Sequence, residues 1–339
     1  MIELKRNVLS FSFPEVHPRA KLQIEFERTL RIPDDDNDYS LPPGLGSFPL
    51  RHVDDYAEKV PGLWLQHGGV MMPMYQSEAL WISFLGSEYP FALKIAAGKI
   101  NAVTGEQWGD TLTEDPQDYV VVPDQPWLDG FCIEKGVIRQ FVAMPLGSGY
   151  TAEEQLTQQA EHGGLQIVAY PMKRKAYEKL SIHENLIRRY SDFTFRGPPP
   201  PDNSMALAPG GRMKQEIYED EHGIDKWDID HKSRCFVHMS NSLVWRSITG
   251  ENPPTVPPTS KEYTDADLPW FEYYGGDTEV LEGSKKLKKL KSVVEIAIEK
   301  KDVPIPENET VTPKNINIIR TNLKKGQVRE YRNTHSQCF

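Results

Sequence analysis

The sequence predicts an α+β protein with a mainly antiparallel β core, few helices and long Pro-rich connections. Three observations support this fold class: a segment of alternating polarity, two segments with a strand–turn–strand pattern, and one well-capped helix between two strands. The repeated β–α–β pattern of a doubly wound sheet is not found in the sequence.

The alternating segment covers residues 21–32. Apolar side chains occupy every second position from Leu22 to Ile32, and polar side chains fill the positions between them. This period of two is typical of a strand that has one face in the core and one face in solvent. Arg28 is the only residue that interrupts the apolar face.

Two β-hairpins are predicted downstream, in residues 91–103 and 131–142. Each consists of two apolar segments joined by a short turn, which contains Gly98 in the first hairpin and Gly136 in the second. Such turns connect neighbouring antiparallel strands.

A helix is predicted to begin after Thr151, because Thr151 and Glu154 form the pattern of a capping box. Gly163 and Gly164 are its predicted end, and residues 165–170 form the next strand. A second, amphipathic helix is predicted over residues 284–300, where apolar residues recur at helical spacing among lysines.

The proline-rich residues 198–201 suggest a boundary between two parts of the chain. The prediction is a β-rich body over residues 1–195 and an irregular or α+β extension over residues 196–339, which packs on the body and contains the late amphipathic helix. A single compact domain is the alternative. A second proline-rich connection covers residues 253–258.

The formal net charge is −10, which makes a general nucleic-acid-binding protein an unlikely class. The charge is unevenly distributed. Residues 285–339 contain 13 basic and 6 acidic residues, which gives +7 and leaves −17 on residues 1–284. The basic segment is expected either to pack on the acidic body or to bind an anionic partner.

The sequence predicts a soluble, cytoplasmic protein. Its three cysteines form no CxxC pair, as is usual for a reducing compartment. The N-terminal residues lack the apolar segment of a secretory signal, and no stretch is apolar for the ~18 residues that a membrane-spanning helix needs.

An acidic stretch over residues 216–231 contains the candidate metal ligands Asp225, Asp228, Asp230 and His231. Carboxylate and imidazole groups together bind divalent metals such as Mn, Fe or Zn. A divalent metal is therefore the one cofactor that the sequence suggests. The spacing matches no known metal template, so a solvated loop whose carboxylates cap turns is the alternative.

An aromatic segment follows the second proline-rich connection and contains the candidate binding residues Trp270, Phe271, Tyr273 and Tyr274. Large aromatic side chains in a polar context are typical of a binding groove. They also suit a clamp that holds an irregular segment on the body by aromatic burial.

No motif of nucleophilic catalysis, phosphate binding or zinc hydrolysis is found in the sequence, and no catalytic residue is nominated. The leading hypothesis is therefore a cytosolic binding or scaffold protein whose partner is another protein. A metal-dependent hydrolase that uses residues 216–231 is the alternative. Anion binding by the basic C-terminal segment is the third hypothesis.

Overall fold

β-strands are the main secondary structure of the described residues. The computed structural model describes residues 1–35, 37–85, 87–181, 204–274, 278–302 and 308–320. The strands are β1 Ile2–Lys5, β2 Val8–Ser12, β3 Lys21–Thr29, β4 Gly44–Ser47, β5 Arg51–His52, β6 Val70–Met74, β7 Ala79–Leu85, β8 Phe91–Ala97, β9 Ile100–Asn101, β10 Val120–Val122, β11 Trp127–Leu128, β12 Gly130–Glu134, β13 Val137–Pro145, β14 Leu165–Pro171, β15 Ser204–Lys214, β16 Ser233–Asn241, β17 Trp270–Tyr274 and β18 Ile316–Arg320. The helices are α1 Gly62–His67, α2 Ala152–Thr157, α3 Arg174–Ser181, α4 Ser242–Thr249, α5 Ser260–Asp265 and α6 Val293–Lys300.

One sheet contains sixteen of these strands, and β17 and β18 form a separate pair. The main path of the large sheet runs β1-β2-β3-β7-β13-β15-β16-β14-β8-β10. Among the described strands, β16 and β6 pair in parallel, as do β17 and β18, and the other pairings are antiparallel. The predicted mainly antiparallel core with few helices is confirmed.

Strand β13 connects several parts of the sheet because it changes partner along its length. One edge pairs with β15, while the other pairs first with β12 and then with β7. A register shift against β15 between Arg139 and Phe141 marks an irregularity in this pairing. Through these pairings the end of β15 lies near β11 and β12.

Strand β3 confirms the prediction from alternating polarity. Leu22, Ile24 and Phe26 are fully buried, and the side chains between them are exposed or partly exposed. The strand ends at Thr29, although the pattern continues to Ile32.

Arg28 is buried on the core side of β3, where the pattern is interrupted. Its side chain is 3% exposed and that of Glu78 is 1% exposed, and Arg28 Nε donates to Glu78 Oε1 at 2.7 Å. Glu78 also accepts the backbone N–H of Tyr75 at 2.9 Å. Burial raises the pKa of Glu78, and Arg28 opposes that shift. The guanidinium is tolerated in the core because it has a buried anionic partner.

Both predicted hairpins are present, with β8 paired to β9 and β12 paired to β13. The predicted capping box is also present, since Glu154 N donates to Thr151 Oγ1 at 3.2 Å and the Glu154 carboxylate accepts from Thr151 N. Helix α2 ends at Thr157, earlier than the predicted glycine stop, because Gln158 already adopts the left-handed conformation.

The single amphipathic helix predicted over residues 284–300 is wrong in its extent. A 3-10 turn covers Leu287–Lys289, and α6 begins only at Val293. Ser292 starts α6 with a second capping box, because Glu295 N donates to Ser292 Oγ at 3.1 Å and Ser292 N donates to Glu295 Oε2 at 2.6 Å. Asp34 also accepts the N–H of Val294 at 3.0 Å, so a residue distant in sequence helps to define this helix start.

Strands on both sides of residue 195 belong to the large sheet. Strand β15 pairs with β13, and β16 pairs with β14. The division of the chain into two parts stays a prediction, and the N-terminal portion of the proposed extension supplies central strands of the sheet.

The proline-rich residues 253–258 lie over the buried Arg28–Glu78 pair. Arg28 Nη2 donates to the carbonyl of Thr255, and Tyr75 Oη donates to the carbonyl of Pro254 at 2.9 Å. Their backbone is therefore fixed by side chains of the sheet.

None of the helices within the described ranges has the length and apolar character that crossing a bilayer requires.

Replacing Arg28 by Met is expected to lower the free energy of unfolding by about 3–5 kcal/mol, since Glu78 is left buried without its cation. The double variant Arg28→Met/Glu78→Leu should recover most of this loss, and Arg174→Met, which breaks an exposed pair with Glu178, should have little effect. Urea denaturation of the four proteins measures these differences. A loss below about 1 kcal/mol in Arg28→Met would contradict the assigned role.

Candidate binding site

The predicted metal ligands of residues 225–231 lie in an exposed turn. Asp228 Oδ1 accepts the backbone N–H groups of Asp230 and His231, both at 3.1 Å, and Asp228 Oδ2 lies 3.0 Å from His231 Nδ1. The Asp225 carboxylate pairs with the neighbouring Lys226. The carboxylate of Asp228 is thus used to close the turn.

Asp220 is a second carboxylate of the acidic stretch with three hydrogen-bond contacts. Its Oδ2 accepts from Tyr119 Oη at 2.7 Å and from Trp227 Nε1 at 2.8 Å, and its Oδ1 accepts from His222 N. Within the described ranges, no three His, Cys, Asp or Glu side chains are grouped as a metal site. The metal-site hypothesis stays a prediction that this geometry does not support.

Among the aromatic residues singled out from the sequence, Trp270 is fully buried. Its ring lies 6.4 Å from that of Tyr39 and 6.3 Å from that of Tyr263, and its indole N–H donates to Thr264 Oγ1 at 3.2 Å. The indole of Trp270 is therefore buried between Tyr39 and Tyr263, and its role as a clamp stays a prediction. The side chain of Tyr274 lies outside the described part of the structure.

Phe271 and Tyr273 are only partly buried and line a cavity of about 240 Å³. Two backbone hydrogen bonds between Phe271 and Leu41, at 2.8 and 2.9 Å, hold β17 in place, and β18 pairs with its other edge. Tyr39 bonds in turn to Arg212 and Lys214 of β15. These contacts bring β17 next to the end of β15.

The opposite wall of the cavity comes from Pro126 and Trp127, where the chain enters β11. The rings of Trp127 and Tyr273 meet edge to face, with centroids 4.5 Å apart and an interplanar angle of 71°. On its other side Trp127 meets Trp81 at 6.2 Å. Because Trp127 packs against Trp81 and Tyr273, its position is defined on two sides. We call this cavity the aromatic pocket.

Charged side chains form the rim of the aromatic pocket. Lys214 Nζ lies 3.2 Å from Glu272 Oε1, and the Glu216 carboxylate accepts from Tyr218 Oη at 3.2 Å. All three charged residues line the cavity. The rim therefore carries one more carboxylate than ammonium, which favours a cationic ligand over an anionic one.

A buried carboxyl, that of Asp129, lies behind the pocket wall. Asp129 Oδ2 accepts from Gln215 Nε2 at 2.7 Å, and Asp129 N donates to Gln215 Oε1 at 3.0 Å. Burial raises the pKa of Asp129 to about 7, against the hydrogen bond from Gln215 that lowers it. The next residue, Gly130, is at a position where only glycine fits. A Cβ there would lie 2.0 Å from the carbonyl oxygen of Arg139.

Sequence reasoning missed Trp127, Gln215 and Asp129 as parts of a site. One feature of the sequence could have pointed to Asp129: it is a single acidic residue between the apolar segments of β11 and β12. Strand periodicity does not reveal which distant residue covers such a carboxyl.

The basic segment contacts the acidic body. Lys286 pairs with Glu106, Lys288 Nζ lies 2.9 Å from Glu134 Oε1, and Lys291 pairs with Glu299 of α6. At these positions the lysines neutralise carboxylates of the protein itself, most of them on the body.

Comparison with protein-family models, with curated proteins and with solved structures finds no match to this chain. The function is therefore argued from the pocket itself.

The stability of the protein is expected to fall as pH rises through the range in which Asp129 ionises. The pKa of Asp129 is about 7 in the folded protein and ordinarily 3.8, so this group favours the folded state most at low pH and loses that contribution between these values. Between about pH 5.5 and 8.5, wild type should lose about 2 kcal/mol more than Asp129→Asn, at roughly 1.4 kcal/mol per pKa unit.

Urea denaturation at the two pH values measures this difference. The exposed substitution Asp55→Asn serves as the control and should follow wild type. Equal pH dependence in wild type and Asp129→Asn would show that Asp129 is not the buried acid inferred from the structure.

Proposed function

We propose that this chain is a binding protein whose aromatic pocket takes an arginine side chain from an extended segment of a partner protein. The observation that carries this proposal is the combination of three aromatic rings, those of Trp127, Phe271 and Tyr273, with the rim carboxylates of Glu216 and Glu272. Aromatic faces attract cations, and carboxylates pair with them.

The size of the pocket supports a side chain as the ligand. Its volume of about 240 Å³ is below the ~300–1,000 Å³ that is typical of pockets for drug-sized molecules and cofactors. A single long side chain from a partner protein suits the available space.

Arginine fits this environment better than lysine does. Its planar guanidinium stacks on aromatic faces and can bond to a carboxylate through two parallel N–H groups. The ammonium of Lys214 already occupies one side of Glu272. A planar ligand that bonds to Glu216 and stacks on Trp127 can therefore bind beside this lysine.

The other hypotheses from the sequence stay predictions with less support. The acidic stretch uses Asp220 and Asp228 in internal hydrogen bonds, and Lys286 and Lys288 of the basic segment pair with body carboxylates. A cytosolic location is supported by the free, buried thiols of Cys132 and Cys235, whose pKa values burial raises to about 12.

Isothermal titration with the capped peptide Gly-Ser-Arg-Ser-Gly tests the proposal. The peptide is expected to bind, and its citrulline analogue, which is neutral and nearly the same in shape, should bind about tenfold more weakly because a charge-assisted hydrogen bond is lost. Glu216→Gln and Glu272→Gln should each weaken binding of the arginine peptide by a similar factor.

Glu15→Gln, an exposed substitution outside the pocket, is the matched control and should bind like wild type. Equal affinity for the arginine and citrulline peptides would refute the assigned ligand chemistry. An absence of binding at millimolar peptide would refute the proposal as a whole.

A further inference from the structure

The carboxyl of Asp129 contacts Gln215, a residue that lines the aromatic pocket. The side-chain amide of Gln215 is held at both ends, since its Nε2 donates to Asp129 Oδ2 at 2.7 Å and its Oε1 accepts from Asp129 N at 3.0 Å. Gln215 Nε2 also lies 3.4 Å from the carbonyl oxygen of Trp127. The buried acid thus contacts the pocket residue that follows β15, and the same residue contacts the backbone of β11.

The backbone around Asp129 is fixed independently of its side chain. Trp127 and Leu128 pair with Ser83 and Ile82 of β7, and the carbonyl of Asp129 accepts the N–H of Phe141 at 2.9 Å. A change in the carboxyl is therefore expected to alter the side chain of Gln215, and with it the surroundings of Trp127 in the pocket, while the strands remain paired.

The charged residues on the elements that pack around Asp129 are engaged elsewhere. Lys214 and Glu216 flank Gln215 and lie on the pocket rim, where Lys214 pairs with Glu272. Arg139 of β13 pairs with Asp34 at 3.4 Å. Burial raises the pKa of Asp129, and the hydrogen bond from Gln215 opposes that shift.

We propose that Asp129 is a positioning residue of the aromatic pocket, whose ionised carboxyl holds the Gln215 amide in the arrangement that binds ligand. The amide is an N–H donor, and an ionised carboxylate offers it two acceptor oxygens. A protonated carboxyl presents an O–H group on one oxygen, so it has less capacity to accept. Ligand affinity therefore increases as Asp129 loses its proton.

Physiological pH lies in the range where this change occurs, because burial raises the pKa of Asp129 to about 7. The donated hydrogen bond favours the ionised form, and burial favours the neutral form. At neutral pH both the ionised and the protonated forms of Asp129 are present. A small change in pH therefore changes the fraction of molecules in which the pocket is ordered.

The first test examines the free protein and does not require a ligand. Protein labelled with 5-fluorotryptophan is followed by ¹⁹F NMR as pH is changed, and Trp127→Phe identifies the resonance of Trp127. This resonance is expected to shift with a midpoint near pH 7 in wild type and to stay constant in Asp129→Asn. A Trp127 signal that does not change with pH in wild type overturns the proposal, even if the Asn variant fails to fold.

The second test rests on the proposed function, because it uses the arginine peptide as the probe. The peptide keeps its charge between about pH 6 and 8, while the ionised fraction of a group with a pKa near 7 rises about tenfold. Binding to wild type should strengthen by up to about this factor, and binding to Asp129→Asn should not depend on pH in this way.

The two tests separate the two proposals. Peptide binding with the same affinity at both pH values in wild type overturns the role of Asp129 and leaves the binding function intact. A Trp127 signal that titrates in a protein that binds no arginine peptide overturns the binding function and retains Asp129 as the residue that positions Gln215 beside Trp127.

Discussion

The buried ion pair between Arg28 and Glu78 is the interaction on which the arrangement of the later chain depends. Two charges are tolerated in the core because each satisfies the other, and the remaining donor of Arg28 bonds to the carbonyl of Thr255. The proline-rich residues 253–258 are thereby fixed on the sheet, and α5 begins directly after them. Tyr263 of α5 then packs against Trp270 of β17, so a series of contacts connects the buried pair to the aromatic pocket.

Three buried carboxyl groups differ in the partners that satisfy them. Glu78 pairs with Arg28, and Asp118 pairs with Lys94 at 2.6 Å, so both have a buried cation. Asp129 has an amide donor instead, and burial raises its pKa to about 7. It lies directly behind a pocket, where a carboxyl with a shifted pKa is a candidate for function.

Local patterns predicted much of the fold. The alternation in β3, the two hairpins and the capping box at Thr151 each depend on residues close together in sequence, and all three are present. The prediction of one helix over residues 284–300 failed because apolar spacing does not show that Ser292 interrupts it as a helix cap. Of the candidate site, the sequence identified Phe271 and Tyr273 as binding residues. It did not identify Trp127, Gln215 or Asp129, which lie more than fifty residues away along the chain.

The sequence by itself determined the β-rich class, the face of β3 that enters the core, and the uneven distribution of charge, because composition and periodicity act over a few residues at a time. The tertiary structure decided which of these features meet. It placed the partner of Arg28, buried Trp270 while leaving Phe271 and Tyr273 at a cavity, and brought Gln215 onto Asp129. The order of strands in the sheet makes these contacts, and that order depends on long-range pairing, which local periodicity does not encode.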